Sequence, residues 1–327
     1  MKVLLLGTRE LGFIGLERIF NSGRHEVVGV VTKEYEITEG YGEGEYREFC
    51  KERNIPVFIT DNVNNEEFAE KVKRLKPDVG VSLYWRRIVK QPLIGVPEHG
   101  FINVHSSDLP RYRGFAATSW SIINGDSEIG ACVHMMVDGK ADEGDILAKR
   151  HIPITEETTI RTLQEKLWPM EADMVLEVLD MMGEGRVEPE PQDESKLVMA
   201  YPRLPSDGLI DWKDSAVRID RLVRAITKPY PGAHTYYREG EEIKKLTVWE
   251  SSVLEEPPEF MGTPGHIVKI DKEGGGAWVL TGDGILVLKL VEVEGEGEFQ
   301  PARRWRSIQK RLGLNVEEEI YRLSRRG

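Results

Sequence analysis

Met1-Lys2-Val3-Leu4-Leu5-Leu6-Gly7 opens the chain, and Glu26-Val27-Val28-Gly29-Val30-Val31-Thr32 is the next apolar run. Between them Leu11, Ile14, Leu16, Ile19 and Phe20 recur near the helical period. Short apolar runs on either side of a segment with one apolar stripe read as strand, crossover helix and strand. The first half is therefore expected to be a mostly parallel sheet covered by helices. Working outward, Val79–Leu83 and Phe101–Val104 repeat the strand pattern, and Phe68, Val72 and Leu75 form another helical stripe. Ala131–Val137 and Ile146–Ile154 read as further strands. A long helix is expected from about Thr159 to Met182, carried by Ile160, Leu163, Leu167, Met174, Val178 and Met182, with Pro169 as a kink.

Gly183 to Ser195 is rich in Gly, Pro and acid, a composition that buries little surface, and the domain boundary is placed just after it. The expected domains are residues 1–200 and 201–327. A chain of 327 residues favours two domains at roughly 100–200 residues each. The second holds one helical pattern, Ala216–Thr227, and strand signals at Leu246–Trp249, His266–Ile270, Ala277–Leu280 and Ile285–Val291. Thr281-Gly282-Asp283-Gly284 joins the last two as a hairpin turn, so a small β-barrel is expected there.

Hydrophobic residues make up 40% of the chain and charged ones 31%, and no apolar run approaches the ~20 residues of a spanning helix. A membrane-spanning helix is not expected on that pattern. The start has too short an apolar run for an export signal, so a cytoplasmic location is expected. Cys50 and Cys132 lie far apart without ligand spacing, which fits a reducing compartment and argues against a disulfide or a metal site. Net charge is −12; residues 1–200 carry 24 basic and 35 acidic side chains, and residues 201–327 carry 20 and 21. A polyanionic partner would need local basic patches to overcome that field.

The chemistry concentrates in Phe101-Ile102-Asn103-Val104-His105-Ser106-Ser107-Asp108-Leu109-Pro110-Arg111-Tyr112-Arg113-Gly114. An apolar strand ends there in an Asn and a His one residue apart, which puts both side chains on one face at the strand's carboxyl end. Open α/β sheets bind ligands along that edge. His134 to Asp145 carries a second strand into an acidic, glycine-punctuated loop that offers a carboxylate to the same edge.

Together these elements resemble the transferases that use 10-formyltetrahydrofolate, whose Asn-x-His, Leu-Pro-x-Tyr-x-Gly and Asp-x-Gly-Asp motifs occur here in the same order. The resemblance implies an α/β, Rossmann-like, mostly parallel sheet with a C-terminal small, OB-like β-barrel. It implies a formyltransferase of one-carbon metabolism, with 10-formyltetrahydrofolate as co-substrate and no metal. It gives Asn103, His105 and Asp142 the catalytic roles. Attack of an amine on the formyl carbon creates an oxyanion that an amide N–H stabilises, while the imidazole either stabilises that oxyanion or relays the proton from the amine to the folate nitrogen. The interval from His134 to Asp142 is one residue longer than the family pattern, so either the loop carries a bulge or Asp145 competes. Asp142 is preferred because Asp142-Glu143-Gly144-Asp145 fits the family frame. Asp138 reads as a turn residue and Asp145 as a loop cap. The folate pocket is expected from Arg87, Ile88 and Val89, from Ser107, Leu109 and Pro110, and from Val137, Asp138, Gly139, Lys140 and Ala141. Tyr84 and Trp85 are either core or contact residues.

Two kinds of amine acceptor compete. Methionyl-tRNA formyltransferases need basic surfaces for a polyanion, whereas Glu34, Glu36, Glu39, Glu43, Glu45 and Glu48 here face only Arg47, as a solvated acidic loop. The sequence is more similar to sugar-nucleotide N-formyltransferases, above all the type acting on UDP-4-amino-4-deoxy-L-arabinose. Arg203-Leu204-Pro205-Ser206-Asp207, Ile210-Asp211-Trp212, Val223-Arg224-Ala225 and Lys228-Pro229-Tyr230-Pro231-Gly232 carry that likeness. Arg203, Arg224 and Lys228 are then either contacts to a nucleotide diphosphate or salt-bridge residues. Phe115 stands where the arabinose enzyme has an arginine, which leaves the sugar open. The expected partner is thus an amino-sugar nucleotide, with tRNA second, and a homodimer is left open. A dinucleotide-binding reading of Gly7-Thr8-Arg9-Glu10-Leu11-Gly12 lacks the glycine spacing. A nucleic-acid module built on Arg303, Arg304, Arg306, Lys310 and Arg311 competes with an amphipathic helix whose buried stripe is Trp305, Ile308 and Leu312.

Overall fold

The computed structural model describes residues 1–34 and 41–324 and divides into two compact units. The first comprises residues 1–118, 127–155 and 162–202; the second comprises 119–126, 156–161 and 203–327.

Unit one is built on β1 (Lys2–Gly7), α1 (Arg9–Asn21), β2 (Glu26–Thr32), α2 (Glu43–Glu52), β3 (Val57–Ile59), α3 (Glu66–Lys73), β4 (Val79–Leu83) and β5 (Phe101–His105). It continues through β6 (Arg113–Gly114), α4 (Ala117–Asn124), β7 (Glu128–Met135), β8 (Ile146–Pro153), α5 (Ile160–Gly183) and β9 (Met199–Ala200), α4 and α5 belonging in part to unit two. Its seven-stranded sheet has the order β3-β2-β1-β4-β5-β7-β8. The first five are parallel, as crossover connections require, and β7 and β8 run antiparallel at one edge. Order reverses between β1 and β4, the switch point at which such sheets leave a crevice at their carboxyl edge. Val3 to Leu6, Val79, Val81 and Leu83 are fully buried because helices cover both faces.

The acidic segment after β2 departs from the loop reading. Gly42 donates its N–H to Glu45 and α2 follows, burying Tyr46, Phe49 and Cys50 while Glu45, Glu48 and Glu52 stay outside. Phe13 meets Tyr46 at 5.4 Å and Phe49 at 5.6 Å, edge to face, and this aromatic contact fixes the helix. Three apolar positions among charges are too few for a composition-based reading to separate helix from loop. Glu36 and Glu39 lie outside the described residues.

Unit two holds α6 (Ala216–Ile226), β10 (Ala233–Glu239), β11 (Glu242–Val253), β12 (Ile267–Ile270), β13 (Ala277–Leu280), β14 (Ile285–Val293), β15 (Gly297–Phe299), α7 (Pro301–Arg304) and α8 (Val316–Ser324). The antiparallel order is β10-β11-β14-β13-β12, with β15 added to β14. The expected helix through Trp305, Ile308 and Leu312 does not form. The chain leaves α7 after Arg304, buries Trp305 and Leu312, exposes Ile308, and then runs extended between the two outer strands. Ile267 donates to the carbonyl of Lys310, Leu312 to that of Gly265, and Gly313 to that of Tyr236, so residues 310–313 join β12 to β10 and close the sheet. Backbone pairing outcompetes the helix because two open edges need partners there.

Candidate active site

β5 delivers Asn103 and His105 to one face of the carboxyl edge of the sheet, as its period requires. β7 pairs beside it with Asn103 opposite His134, so the imidazole of His134 joins the same cluster. Between β7 and β8 the register shifts at Val133/His134, where Ile146 and Ala148 pair with adjacent residues of β7. The loop after β7 returns Asp142 to the pair. Its Oδ1 lies 3.4 Å from Asn103 Nδ2 and 3.4 Å from His134 Nε2, and its Oδ2 lies 3.6 Å from His105 Nδ1. The Gly114 N–H donates to Oδ2 at 3.2 Å.

These contacts set protonation. His134 Nδ1 lies 2.8 Å from the carbonyl of Met135, and its Nε2 lies 3.1 Å from Asn103 Nδ2 and 3.4 Å from Asp142 Oδ1. His105 Nε2 donates to the carbonyl of Tyr112 at 2.9 Å, which leaves Nδ1 as the basic nitrogen and turns it toward Asp142. Burial alone would raise Asp142, but His105, His134 and the Gly114 amide bring its carboxyl down to about 2. It is an anion held among imidazoles.

The frame of this cluster is backbone-strained and tightly packed. Among the described residues, seven non-glycines have positive φ, and Arg9, Tyr84, Tyr112, Ala116 and Asp142 lie after β1, β4, β5, β6 and β7. Such conformations cost ~1–3 kcal/mol each and persist where surrounding contacts over-determine them. Gly144 approaches so closely that a Cβ there would stand 1.8 Å from the carbonyl oxygen of Met135.

The Gly- and Pro-rich segment supplies support that its composition hides. Gln192 Nε2 donates to the carbonyls of Asp142 at 2.7 Å and Gly144 at 2.8 Å, and its Oε1 accepts from buried Arg113 at 2.6 Å. Arg113 is also paired with Glu194 at 2.7 Å. Ile146 and Glu190 exchange backbone hydrogen bonds. His134 and Gln192 are the two residues that sequence reasoning passed over. The first is brought to Asn103 by the pairing of β5 with β7, and nothing local marked either one.

The expected pocket residues fall into two facing segments and a turn. Gly139 donates to the carbonyl of Val89, and the Gln91 N–H donates to Asp138 at 2.9 Å, which ties 87–91 to 137–141. Val89 is buried, Ile88 and Val137 are exposed, Arg87 pairs with Asp61 and Lys140 with Glu143. Trp85 is partly buried and its indole N–H has no partner. After β5, Ser107 and Leu109 are buried and Pro110 follows them. In unit two, Arg203 lies 4.9 Å over the ring of Trp120 and donates to the carbonyl of Asp207; Arg224 pairs with Asp220 at 2.7 Å; Lys228 pairs with Glu298. Among the described residues no group of three His, Cys, Asp or Glu is placed to hold a metal ion, and no helix is long and apolar enough to cross a membrane.

Known proteins resemble this chain over most of its length. The methionyl-tRNA formyltransferase of Caldanaerobacter subterraneus subsp. tengcongensis is 33% identical, over 97% of this chain and 98% of its own. That of a Sulfurihydrogenibium species is 36% identical over 89% of this chain and 92% of its own. The fold matches an N-formyltransferase from Helicobacter canadensis, solved with folinic acid and dTDP-3-aminofucose, with a TM-score of 0.64 at 18% identity over 88% of this chain and 98% of that one. The formyl transferase family matches residues 14–179 and its C-terminal domain residues 204–308. With an amide, imidazoles and a carboxylate gathered at the sheet's carboxyl edge, the chain belongs to the formyl transferase family, enzymes that take their formyl group from formyltetrahydrofolate.

Proposed function

We propose that this formyltransferase acts on the primary amine of a small amino-sugar nucleotide, with Asn103, His105 and Asp142 carrying the transfer. Asn103 donates to the formyl oxygen as it gains charge. Its long 3.4 Å contact with Asp142 is the one most readily exchanged for the oxyanion, while His134 keeps the amide oriented. His105, with Nε2 committed to Tyr112, accepts at Nδ1 the proton released as the amine nitrogen bonds the formyl carbon. It returns that proton to the folate nitrogen whose bond to the carbon breaks. Asp142 stabilises the imidazolium in between.

The segments 87–91 and 137–141 supply backbone groups and the apolar Ile88 and Val137 for a flat pteridine, with the unpartnered Trp85 N–H as a further donor. Ser107, Leu109 and Pro110 are assigned to the same donor. Formyltetrahydrofolate supplies the activated carbon.

The acceptor reading rests on how charge is disposed. In unit two Arg224, Lys228, Arg238, Lys244, Arg304 and Lys310 each pair with a carboxylate, which lowers the charge those six cations can offer a polyanion. On α2 Glu43, Glu45, Glu48 and Glu52 outnumber Arg47 and Lys51. Arg203, which bonds a carbonyl rather than a carboxylate, is the best placed of the three expected cations for a diphosphate. A second reading, methionyl-tRNA, is favoured by the names of the relatives at 33–36% identity. Tetrahydrofolate release is followed with 10-formyltetrahydrofolate and either a set of amino-sugar nucleotides or charged initiator tRNA. Turnover with a sugar nucleotide is expected; turnover confined to charged tRNA overturns the first reading in favour of the second.

A further inference from the structure

Glu171 on α5 has no exposed surface. Its Oε1 accepts from Ser106 Oγ at 2.6 Å, and its Oε2 has no hydrogen-bond partner. Ser106 directly follows His105, and the Ser107 N–H donates back to the carbonyl of His105 at 2.8 Å, so the anchored residue is the middle of a tight turn. A carboxylate enclosed this way without a cation is costly, and a carboxylic acid is the form such surroundings tolerate. We propose that Glu171 is a positioning residue that, as a neutral carboxylic acid, holds the His105–Ser107 turn through Ser106 and so keeps His105 Nδ1 aligned on Asp142.

The groups around it fit that state. Ser106 approaches from the end of β5, and from β7 the Cys132 thiol, itself pushed up to about 11 by burial, lies close enough to couple to it electrostatically. Lys149 of β8 and Asp108 also act on Cys132 but satisfy one another at 2.7 Å, and on α5 Asp173 is paired with Arg18. Burial, opposed only by the Ser106 hydroxyl, pushes the Glu171 carboxyl up to about 8. Ionisation at alkaline pH then loads an enclosed charge onto the turn and loosens it.

The inference rests on the role given to His105, and its test needs no acceptor, so a wrong acceptor leaves every outcome intact. Infrared spectra of the full chain at neutral pH are expected to contain a protonated-carboxyl band that vanishes in Glu171→Gln. The band should also fade in the unaltered protein as pH passes about 8. The His105 ring resonances, followed by NMR over the same range, should show an inflection there that Glu171→Gln lacks. At neutral pH Glu171→Gln should keep the His105 resonance in place, whereas Glu171→Leu and Ser106→Ala should both displace it. A band unchanged by Glu171→Gln, or a His105 resonance unmoved in Ser106→Ala, overturns the proposal.

Discussion

Asn103 donates to two neighbours in this structure, and in the proposed mechanism that pre-orientation readies its amide for a developing oxyanion. Asn103→Ala is expected to lower kcat by ~10²–10³-fold with folate binding retained, as loss of one such donor does elsewhere. Steady-state kinetics beside a folate-binding titration check this. Asp142 carries the opposite signature. Its folded carboxyl sits at about 2, below its ordinary 3.8, so its stabilisation is present above that value and is lost as pH falls through about 2. The shift corresponds to roughly 2 kcal/mol. Thermal unfolding between pH 5 and 2 should therefore show a steeper acid loss in the unaltered protein than in Asp142→Asn, and parallel curves would refute it. Strand alternation put Asn103 and His105 on one face of the sheet edge, and the resemblance to the formyltransferase motifs singled out these two with Asp142. His134 was not singled out, because the motif reading stopped at the loop and did not ask which residue β7 sets opposite Asn103.

At the scale of elements, the crossover strands were legible because burial on both faces leaves uninterrupted apolar runs. The segment from Gly183 to Ser195 was not, because its tie to the Asp142 loop is one amide side chain and a pair of backbone bonds, and neither leaves an apolar trace. Gln192→Ala should free two carbonyls and one arm of Arg113, lowering kcat at least tenfold while the melting temperature moves by only a few degrees. Equal activity in that variant would show that the loop keeps its place unaided. Gly144→Ala is expected to be harsher, since the added carbon meets a backbone oxygen that no rotamer change relieves. Proteolytic sensitivity of the loop in that variant reads out the displacement.

For the whole molecule, the fold class followed from pattern, while the ending of unit two did not. Arg303, Arg304, Arg306, Lys310 and Arg311 looked like one face of a helix, because periodicity cannot see an open sheet edge far away in sequence. The paired cations of unit two make a further expectation. Turnover of a small acceptor should change little between 50 and 200 mM salt, whereas a tRNA acceptor making several phosphate contacts would lose at least ~10²-fold in affinity. A salt titration of kcat/KM separates the two. The seal at residues 310–313 also has a temporal side. It comes after every strand it joins, so β10 and β12 must wait through synthesis with bare flanks until those residues clear the ribosome. Nascent chains arrested before that point should be prone to pairing with one another, and those arrested beyond it should not.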